Sequence, residues 1–205
     1  MSKEILNKVG KYYSDKISVH GATPKGVDWN GEQSQVLRFK QLLRVCDNND
    51  SYSLLDFGCG YGALLDYLIE DADSRIDYSG FDISAEMISA AKIKFNNKFD
   101  FFTELNPELK FDFIVASGIF NVRQETPDAE WEKYILDTLE LMNKHSVKGF
   151  SFNVLTSYSD KEFMHDYLYY ASPEKLFSYC KTQFSKQVAL LHDYQLYEFT
   201  ILVKK

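Results

Sequence analysis

Apolar runs typical of buried strands alternate with segments of helical periodicity along this chain. A continuous apolar run indicates a strand that is covered on both faces, whereas apolar residues three or four positions apart indicate the buried face of a helix. The runs predict strands at Ser53–Phe57, Arg75–Asp82, Asp100–Thr103, Phe113–Ala116 and Lys148–Leu155. The periodic segments predict helices at Tyr61–Glu70, from Ser84 to about Phe95, from Thr126, and from Ser172 to about Cys180.

Two late apolar runs, Lys186–Leu191 and Gln195–Val203, are separated by only a few residues. This connection is too short for a crossover helix, so we expect the two strands to form an antiparallel hairpin. Strands that alternate with helices form a parallel sheet with helices on both faces, and the hairpin makes that sheet mixed. We therefore predict an α/β fold with a doubly wound mixed sheet. It is preceded by a loop at Gly21–Gly31 and an amphipathic helix that ends near Val45.

A glycine-rich turn follows the first predicted strand. The sequence Asp56-Phe57-Gly58-Cys59-Gly60-Tyr61-Gly62 has glycines at alternate positions, which lets the backbone turn sharply and approach a ligand closely. The next helix offers unpaired N–H donors, and the carboxylate of Asp56 favours an ammonium group over a pyrophosphate. Asp82, 20 residues after Gly62, stands at the predicted end of the second strand, where a carboxylate can accept both hydroxyls of a ribose.

These residues resemble the motifs of class I S-adenosylmethionine-dependent methyltransferases. Residues 56–62 match the family's acidic-x-Gly-x-Gly-x-Gly motif at every defined position, and Asp82 matches the acidic residue that ends its second strand. The run Phe111–Ser117 is similar to its fourth strand, which commonly begins with Phe-Asp. The resemblance covers about residues 51–205. It implies a Rossmann-like fold with a seven-stranded sheet, S-adenosyl-L-methionine as the cofactor, and methyl transfer by in-line displacement.

The resemblance also implies which residues surround the cofactor. The glycine-rich turn would wrap the methionine part, with Cys59 contributing its backbone, and residues after the third strand would contact the edge of the adenine. The family often has Asp at that edge, and this sequence lacks it. Arg38 or Gln33 would reach the cofactor carboxylate. The predicted cofactor-binding residues are Asp56, Phe57, Gly58, Cys59, Gly60, Gly62, Asp82, Ile83, Met87, Thr103, Glu104, Leu105, Ser117, Gly118 and Arg38.

The methyl acceptor is expected to contact three segments: the loop before the motif, the segment after the fourth strand, and a tyrosine-rich stretch. We predict that residues 1–50 form a helical cap and lid over a cofactor-binding domain at residues 51–205. The candidate catalytic residues are His20, as a base in the lid, and Asn121; His165 has a weaker claim. The candidate substrate-binding residues are Trp29, Lys25, Arg123, Tyr158 and Tyr169.

Charge and composition narrow the acceptor class. The formal net charge of −7 disfavours binding to nucleic acid or to an anionic membrane, because both require positive fields. The segment Ser117–Val122 also lacks the Asn/Asp-Pro-Pro-Tyr/Phe sequence of many nucleic-acid methyltransferases. We therefore expect a small soluble metabolite as the acceptor. There is no apolar run of about 18 residues to span a membrane. The three cysteines fit neither a zinc site nor a disulfide framework, so we expect no metal and a cytoplasmic location.

Two alternative functions stay open at this point. A non-catalytic subunit that binds S-adenosylmethionine and regulates a partner is compatible with the lack of a convincing acid or base. The spacing Gly58-x-Gly60-x-x-Ala63 also fits a nicotinamide dinucleotide fingerprint, which would indicate an NAD-type oxidoreductase. The acidic residue directly before the turn, Gly62, and the length of 205 residues count against that second alternative.

Overall fold

Strands and helices alternate in the order that the apolar pattern predicts. The computed structural model describes residues 3–23, 31–46, 51–70 and 76–205. The strands are β1 (Tyr52–Phe57), β2 (Ile76–Phe81), β3 (Asp100–Phe102), β4 (Phe111–Ala116), β5 (Ser146–Leu155), β6 (Gln187–Leu191) and β7 (Glu198–Lys204). The α-helices are α1 (Lys3–His20), α2 (Glu32–Leu43), α3 (Ala63–Glu70), α4 (Ala85–Lys94), α5 (Asp128–His145) and α6 (Pro173–Gln183).

All seven of these strands form one mixed sheet in the order β3-β2-β1-β4-β5-β7-β6. Strands β1 to β5 pair in parallel, whereas β7 is antiparallel to both β5 and β6. The predicted α/β class, doubly wound sheet and C-terminal hairpin are thereby confirmed. The chain leaves β1 toward β2 on one side and returns to β4 on the other. This switch point creates a crevice at the carboxyl ends of β1 and β4, which is where open α/β sheets bind ligands.

Two apolar clusters cover the two faces of the sheet. One contains α5 and α6 with the β1 residues Leu55 and Phe57, and the other contains α2, α3 and α4 with Tyr52 and Leu54. Successive side chains of a strand point to opposite faces, so a strand buried on both faces must be apolar at consecutive positions. This is why the central strands are continuous apolar runs in the sequence.

Helix α1 has no counterpart among the elements predicted from the sequence. Its residues Ile5 and Val9 join the apolar cluster of α5 and α6, and Ile17 is also buried. The Oγ atoms of Ser14 and Ser84 are hydrogen-bonded at 2.9 Å, which connects α1 to the start of α4. Residues 5, 9 and 17 are separated by multiples of four, so the helical signal was present but sparse.

The observed boundaries differ from the predicted ones mainly near the C-terminus. Helix α6 continues to Gln183 beyond the predicted end near Cys180. Strand β7 begins at Glu198, because residues 194–197 form a bend in which the Tyr194 hydroxyl is hydrogen-bonded to Thr200 Oγ1 at 2.8 Å. None of the helices in the four described ranges has the length and hydropathy that crossing a membrane requires.

Candidate active site

A cavity that is partly open to solvent lies at the carboxyl ends of β1, β2 and β4. Its position at the switch point of the sheet is typical of small-molecule sites. Its wall combines the glycine-rich turn with side chains from α1, α2, α4 and α5. Ten of the predicted cofactor-binding residues line it: Asp56, Phe57, Gly58, Cys59, Gly60, Asp82, Ile83, Met87, Ser117 and Gly118.

The glycine-rich turn has a backbone conformation that excludes larger residues. The φ angles of Gly58, Gly60 and Gly62 are +85°, +54° and +84°. A Cβ atom on Gly58 would lie 2.3 Å from Cγ2 of Ile119, so a side chain there would collide. The N–H groups of Gly58 and Cys59 both donate to the carbonyl of Phe81, at 2.7 and 2.9 Å. The turn is thus fixed to the end of β2 and leaves its outer side to the cavity.

Asp82 connects this turn to the next helix. Its Oδ2 accepts a hydrogen bond from the N–H of Gly60 at 2.9 Å, and its Oδ1 accepts one from the N–H of Ser84 at 2.8 Å. Burial raises the pKa of Asp82, and these two hydrogen bonds oppose the shift. Each carboxylate oxygen has a further lone pair, so the group can accept hydrogen bonds from a ligand while it fixes the turn.

Asp56 is the second carboxylate in the cavity wall, and it is only 3% exposed. Burial raises its pKa to about 7, the charge of Asp82 adds to the increase, and a hydrogen bond from the Tyr78 hydroxyl opposes it. No lysine, arginine or histidine of the described chain lines the cavity. Two carboxylates in the wall, of which Asp56 is buried and Asp82 half-buried, favour a positively charged ligand over an anionic one when no cation neutralises them.

Several residues of the wall were not among the predicted contacts of the cofactor or the acceptor. They are Val9 and Tyr13 of α1, Gln35 and Phe39 of α2, and Tyr134 of α5. Gln35 is only 6% exposed and stands one helical turn before the predicted ligand Arg38. The feature of the sequence that could have indicated Gln35 is its position on the buried face of α2. The alternative candidate Gln33 is exposed.

Arg38 lies outside the lining of the cavity, in a buried polar network. Its Nε and Nη2 donate to Oε2 and Oε1 of Glu198 at 2.7 and 2.6 Å. Oε2 of Glu198 also accepts from Nδ2 of Asn153 at 2.7 Å, and Oδ1 of Asn153 accepts from the N–H of Gly118 at 2.8 Å. The network therefore connects α2 to the backbone that follows β4, at the edge of the cavity.

Other predicted contact residues also lie outside the cavity lining. Gly62 belongs to the turn itself, whereas Thr103 and Glu104 are exposed after β3 and Leu105 is half-buried there. His20 is exposed at the end of α1. Their predicted contacts with cofactor or acceptor stay predictions.

Asn121 and Arg123 have structural partners in the segment that follows β4. Oδ1 of Asn121 accepts a hydrogen bond from the N–H of Leu155 at 3.1 Å. The guanidinium of Arg123 donates to the carbonyl of Leu168 at 3.2 Å and to that of Thr126 at 3.0 Å. These contacts connect the β4–α5 segment to the segment that follows β5, and neither side chain lines the cavity.

The tyrosines predicted to contact substrate lie away from the cavity as well. The hydroxyl of Tyr169 donates to Glu132 at 2.9 Å, and that of Tyr158, which is 64% exposed, donates to Glu174. Trp29 and Lys25 lie outside the described residues. Within the described ranges, no three His, Cys, Asp or Glu side chains are grouped so that they could bind a metal ion.

Comparisons with known proteins agree with one another. A family model described as "Methyltransferase domain" matches residues 31–183. A protein of Mycobacterium tuberculosis (strain ATCC 25618 / H37Rv), "Putative methyltransferase Rv1506c", is 52% identical over 165 residues, which is 80% of this chain and 99% of that protein. The structure of a DhpI–SAH complex is similar with a TM-score of 0.66 and 14% identity, over 100% of this chain and 98% of that chain. Human N-acetylserotonin methyltransferase in complex with SAM has a TM-score of 0.67 and 12% identity, over 100% of this chain and 60% of that chain.

Proposed function

Since the chain belongs to the methyltransferase-domain family and is an S-adenosylmethionine-dependent enzyme, we propose that it methylates a small soluble metabolite. When bound, S-adenosylmethionine supplies a methyl group on a positively charged sulfur, which is a good leaving group. The chain's own contribution is to bind the cofactor and to align the acceptor atom with the bond that breaks. Such alignment supplies much of the rate enhancement when two reactants are brought together.

The observation that supports this site most directly is the pair of carboxylates, Asp56 and Asp82, around the glycine-rich turn. Asp82 suits the ribose hydroxyls, because a carboxylate can accept hydrogen bonds from both. Asp56 suits the ammonium group of the amino-acid part, and Ile83 and Met87 offer apolar surface for the adenine. A dinucleotide would place an anionic pyrophosphate beside these two carboxylates, which argues against the oxidoreductase alternative.

The rest of the cavity supports a small organic acceptor. Its wall includes the apolar or aromatic side chains of Phe39, Ile119 and Tyr134, with the amide of Gln35 among them. The Oγ atom of Ser117, which directly follows β4, is buried and has no hydrogen-bond partner among the described residues, so it is available to bond to a ligand. A partly enclosed and largely apolar cavity fits a small organic molecule, and the net charge of −7 disfavours nucleic acid.

We assign α1 and α2 the role of a cap over this site. The support is that Val9 and Tyr13 of α1 and Gln35 and Phe39 of α2 belong to the cavity wall. The cap is not a separate folding unit, because Val9 also belongs to the apolar cluster of α5 and α6. A reducing cytoplasmic location is proposed on the three cysteines, Cys46, Cys59 and Cys180, which are all buried and lie far apart in the sequence.

Calorimetry with S-adenosylhomocysteine tests the cofactor assignment. We expect micromolar binding to the wild-type chain and a loss of at least about 100-fold in Gly60→Val, because a β-branched residue at a φ of +54° distorts the turn. Gly21→Val is the matched control. Gly21 has a φ of +66° and open space around its Cβ position, and it does not line the cavity. Absence of binding to wild type, or preferential binding of NAD, would refute the proposal.

Turnover tests the acceptor assignment and the non-catalytic alternative together. Wild type and Gly60→Val would be incubated with radiolabelled S-adenosylmethionine and pools of small metabolites, RNA or protein. We expect label in the small-molecule fraction with wild type only. Label that enters RNA or protein would contradict a metabolite acceptor. Failure to label any of the three pools, with cofactor binding intact, would support the regulatory alternative.

A further inference from the structure

Tyr78 lies directly behind the carboxylate of Asp56. Its hydroxyl donates a hydrogen bond to Oδ2 of Asp56 at 2.9 Å, and each of the two side chains is only 3% exposed. Asp56 belongs to the cavity wall, whereas Tyr78 does not. The tyrosine therefore contacts the carboxylate from the protein interior, and a ligand reaches it from the cavity.

The pairing of β1 with β2 explains this contact. Asp56 stands directly opposite Gly80, and Tyr78 precedes Gly80 by two positions, so all three lie on the same face of the sheet. Tyr78 is thus the diagonal neighbour of Asp56, a separation that an aromatic side chain can reach. Gly80 has no side chain, and a Cβ atom there would lie 2.9 Å from Sγ of Cys59 and 2.6 Å from Cδ1 of Phe101. Because Gly80 has no side chain, the ring of Tyr78 can extend past this position, and its hydroxyl reaches the carboxylate of Asp56.

No cation among the described residues of the cavity wall balances the charge of Asp56. The titratable groups that face it are the hydroxyl of Tyr78 on β2, the thiol of Cys59 in the turn and the carboxylate of Asp82 at the end of β2. Burial raises the pKa of Asp56 to about 7, and the hydrogen bond from Tyr78 is the influence that opposes this rise. Loss of that hydrogen bond would therefore favour the neutral acid.

We propose that Tyr78 is a positioning residue, whose hydroxyl orients the Asp56 carboxylate toward the ammonium group of the bound cofactor. This inference rests on the proposed function. It makes cofactor affinity depend on the ionised fraction of Asp56, which is about one half at pH 7. Lowering the pH from 8 to 6 should then weaken S-adenosylhomocysteine binding by about 10-fold, in proportion to that fraction.

The test compares two ligands that differ in the amino-acid part. S-adenosylhomocysteine carries the ammonium group, whereas 5′-methylthioadenosine has the same nucleoside without it. Affinities of wild type and Tyr78→Phe are measured by calorimetry at pH 6, 7 and 8.5. For Tyr78→Phe we expect S-adenosylhomocysteine to bind about 10-fold more weakly at pH 7, because a hydrogen bond to a charged group is lost. Since Asp56 becomes ionised in both proteins at high pH, the difference between their affinities for S-adenosylhomocysteine should narrow to about 2-fold at pH 8.5.

The nucleoside probe separates Asp56 from Asp82. Titration of Asp82 affects both ligands, because both contain the ribose, whereas Asp56 affects only the ligand with the ammonium group. 5′-Methylthioadenosine should therefore bind wild type and Tyr78→Phe equally within about 2-fold at each pH. Tyr52→Phe is the matched control: Tyr52 is a buried β1 tyrosine that packs against Phe113 and does not line the cavity. It should change neither affinity.

Three outcomes would overturn the inference. One is an equal loss for both ligands in Tyr78→Phe, and another is a loss that does not change with pH, since either would indicate a packing role only. The third outcome concerns the ratio of the affinities for S-adenosylhomocysteine and 5′-methylthioadenosine. The inference fails if this ratio does not vary between pH 6 and 8.5 in wild type, or if it varies as strongly in Asp56→Asn. If neither ligand binds wild type at all, the proposed function itself fails, which is a distinguishable result.

Discussion

Replacement of Glu198 by leucine should destabilise the fold strongly and should affect cofactor binding little. The carboxylate accepts two hydrogen bonds from Arg38, at 2.7 and 2.6 Å, and one from Asn153, at 2.7 Å. The side chains of Arg38 and Glu198 are 10% and 2% exposed. Leucine in place of Glu198 would leave a buried guanidinium without its counter-ion and a buried amide without its acceptor.

The expected magnitude follows from the cost of an unpaired buried charge. Removing one partner of a buried ion pair typically costs about 3–5 kcal/mol, which is a large part of a total stability of roughly 5–15 kcal/mol. The double variant Arg38→Met with Glu198→Leu removes both charges together. Its free energy of unfolding should lie within about 2–3 kcal/mol of wild type, because apolar residues of similar volume replace such pairs at little cost and the remaining loss comes from the unpaired Nδ2 of Asn153.

Urea unfolding of the ligand-free proteins, followed by circular dichroism, measures the three free energies of unfolding. Calorimetry with S-adenosylhomocysteine on the double variant then tests the predicted contact between Arg38 and the cofactor. If Arg38 serves only as the partner of Glu198, the affinity should stay within about 3-fold of wild type. A loss of 10-fold or more would support the prediction that Arg38 is a cofactor ligand. A cost below about 1 kcal/mol for Glu198→Leu would refute the reasoning from burial.

Three further changes test the packing and the charges around the site. Trp131→Phe removes a 1% exposed indole, whose N–H donates to a backbone carbonyl at 2.9 Å; urea unfolding should show a loss of about 2–3 kcal/mol. Ser84→Ala removes the α4 N-cap, which accepts the N–H of Met87 at 3.2 Å, and should cost about 1 kcal/mol in the same assay. Asp56→Asn tests how the ionisation of Asp56 makes the free energy of unfolding depend on pH. The carboxyl titrates at about 7 when folded and near 3.9 when unfolded. Wild type should therefore lose on the order of 4 kcal/mol relative to Asp56→Asn between pH 3 and pH 8, with little further change below pH 3. A difference that stays constant with pH would show that Asp56 ionises normally.

The sheet could be predicted because its central strands are buried on both faces. Phe113–Ala116 is apolar at every position, a pattern that a half-exposed strand would not show. The short connection between the last two predicted strands then indicated that they form an antiparallel hairpin. Helix α1 escaped prediction, because only Ile5, Val9 and Ile17 of its 18 residues are buried. So narrow an apolar stripe is hard to distinguish from a loop without its packing partners.

Site residues that lie close together in the sequence could be predicted, whereas a pair that is far apart in the sequence could not. The turn from Asp56 to Gly62 is a contiguous motif, and Asp82 is one strand away, so local backbone chemistry indicated both. Arg38 and Glu198 are 160 positions apart, and no local pattern marks them as a pair. The prediction that Arg38 reaches the cofactor carboxylate came from the resemblance of the N-terminal block to a methyltransferase cap, and it gave no indication of the pairing with Glu198 of β7.

The cofactor half of the cavity was also easier to predict from the sequence than the half that we propose for the acceptor. The cofactor half is built from strand ends and turn backbone, whose placement follows from topology alone. The half that we propose for the acceptor is built from single side chains of three helices, such as Tyr13, Gln35 and Tyr134, and their convergence depends on how each helix is rotated against the sheet. A substitution on those helices can therefore change the acceptor without disturbing the turn or its carboxylates. Acceptor specificity should for this reason respond to changes at Gln35 and Tyr134, while the affinity for 5′-methylthioadenosine responds to the turn.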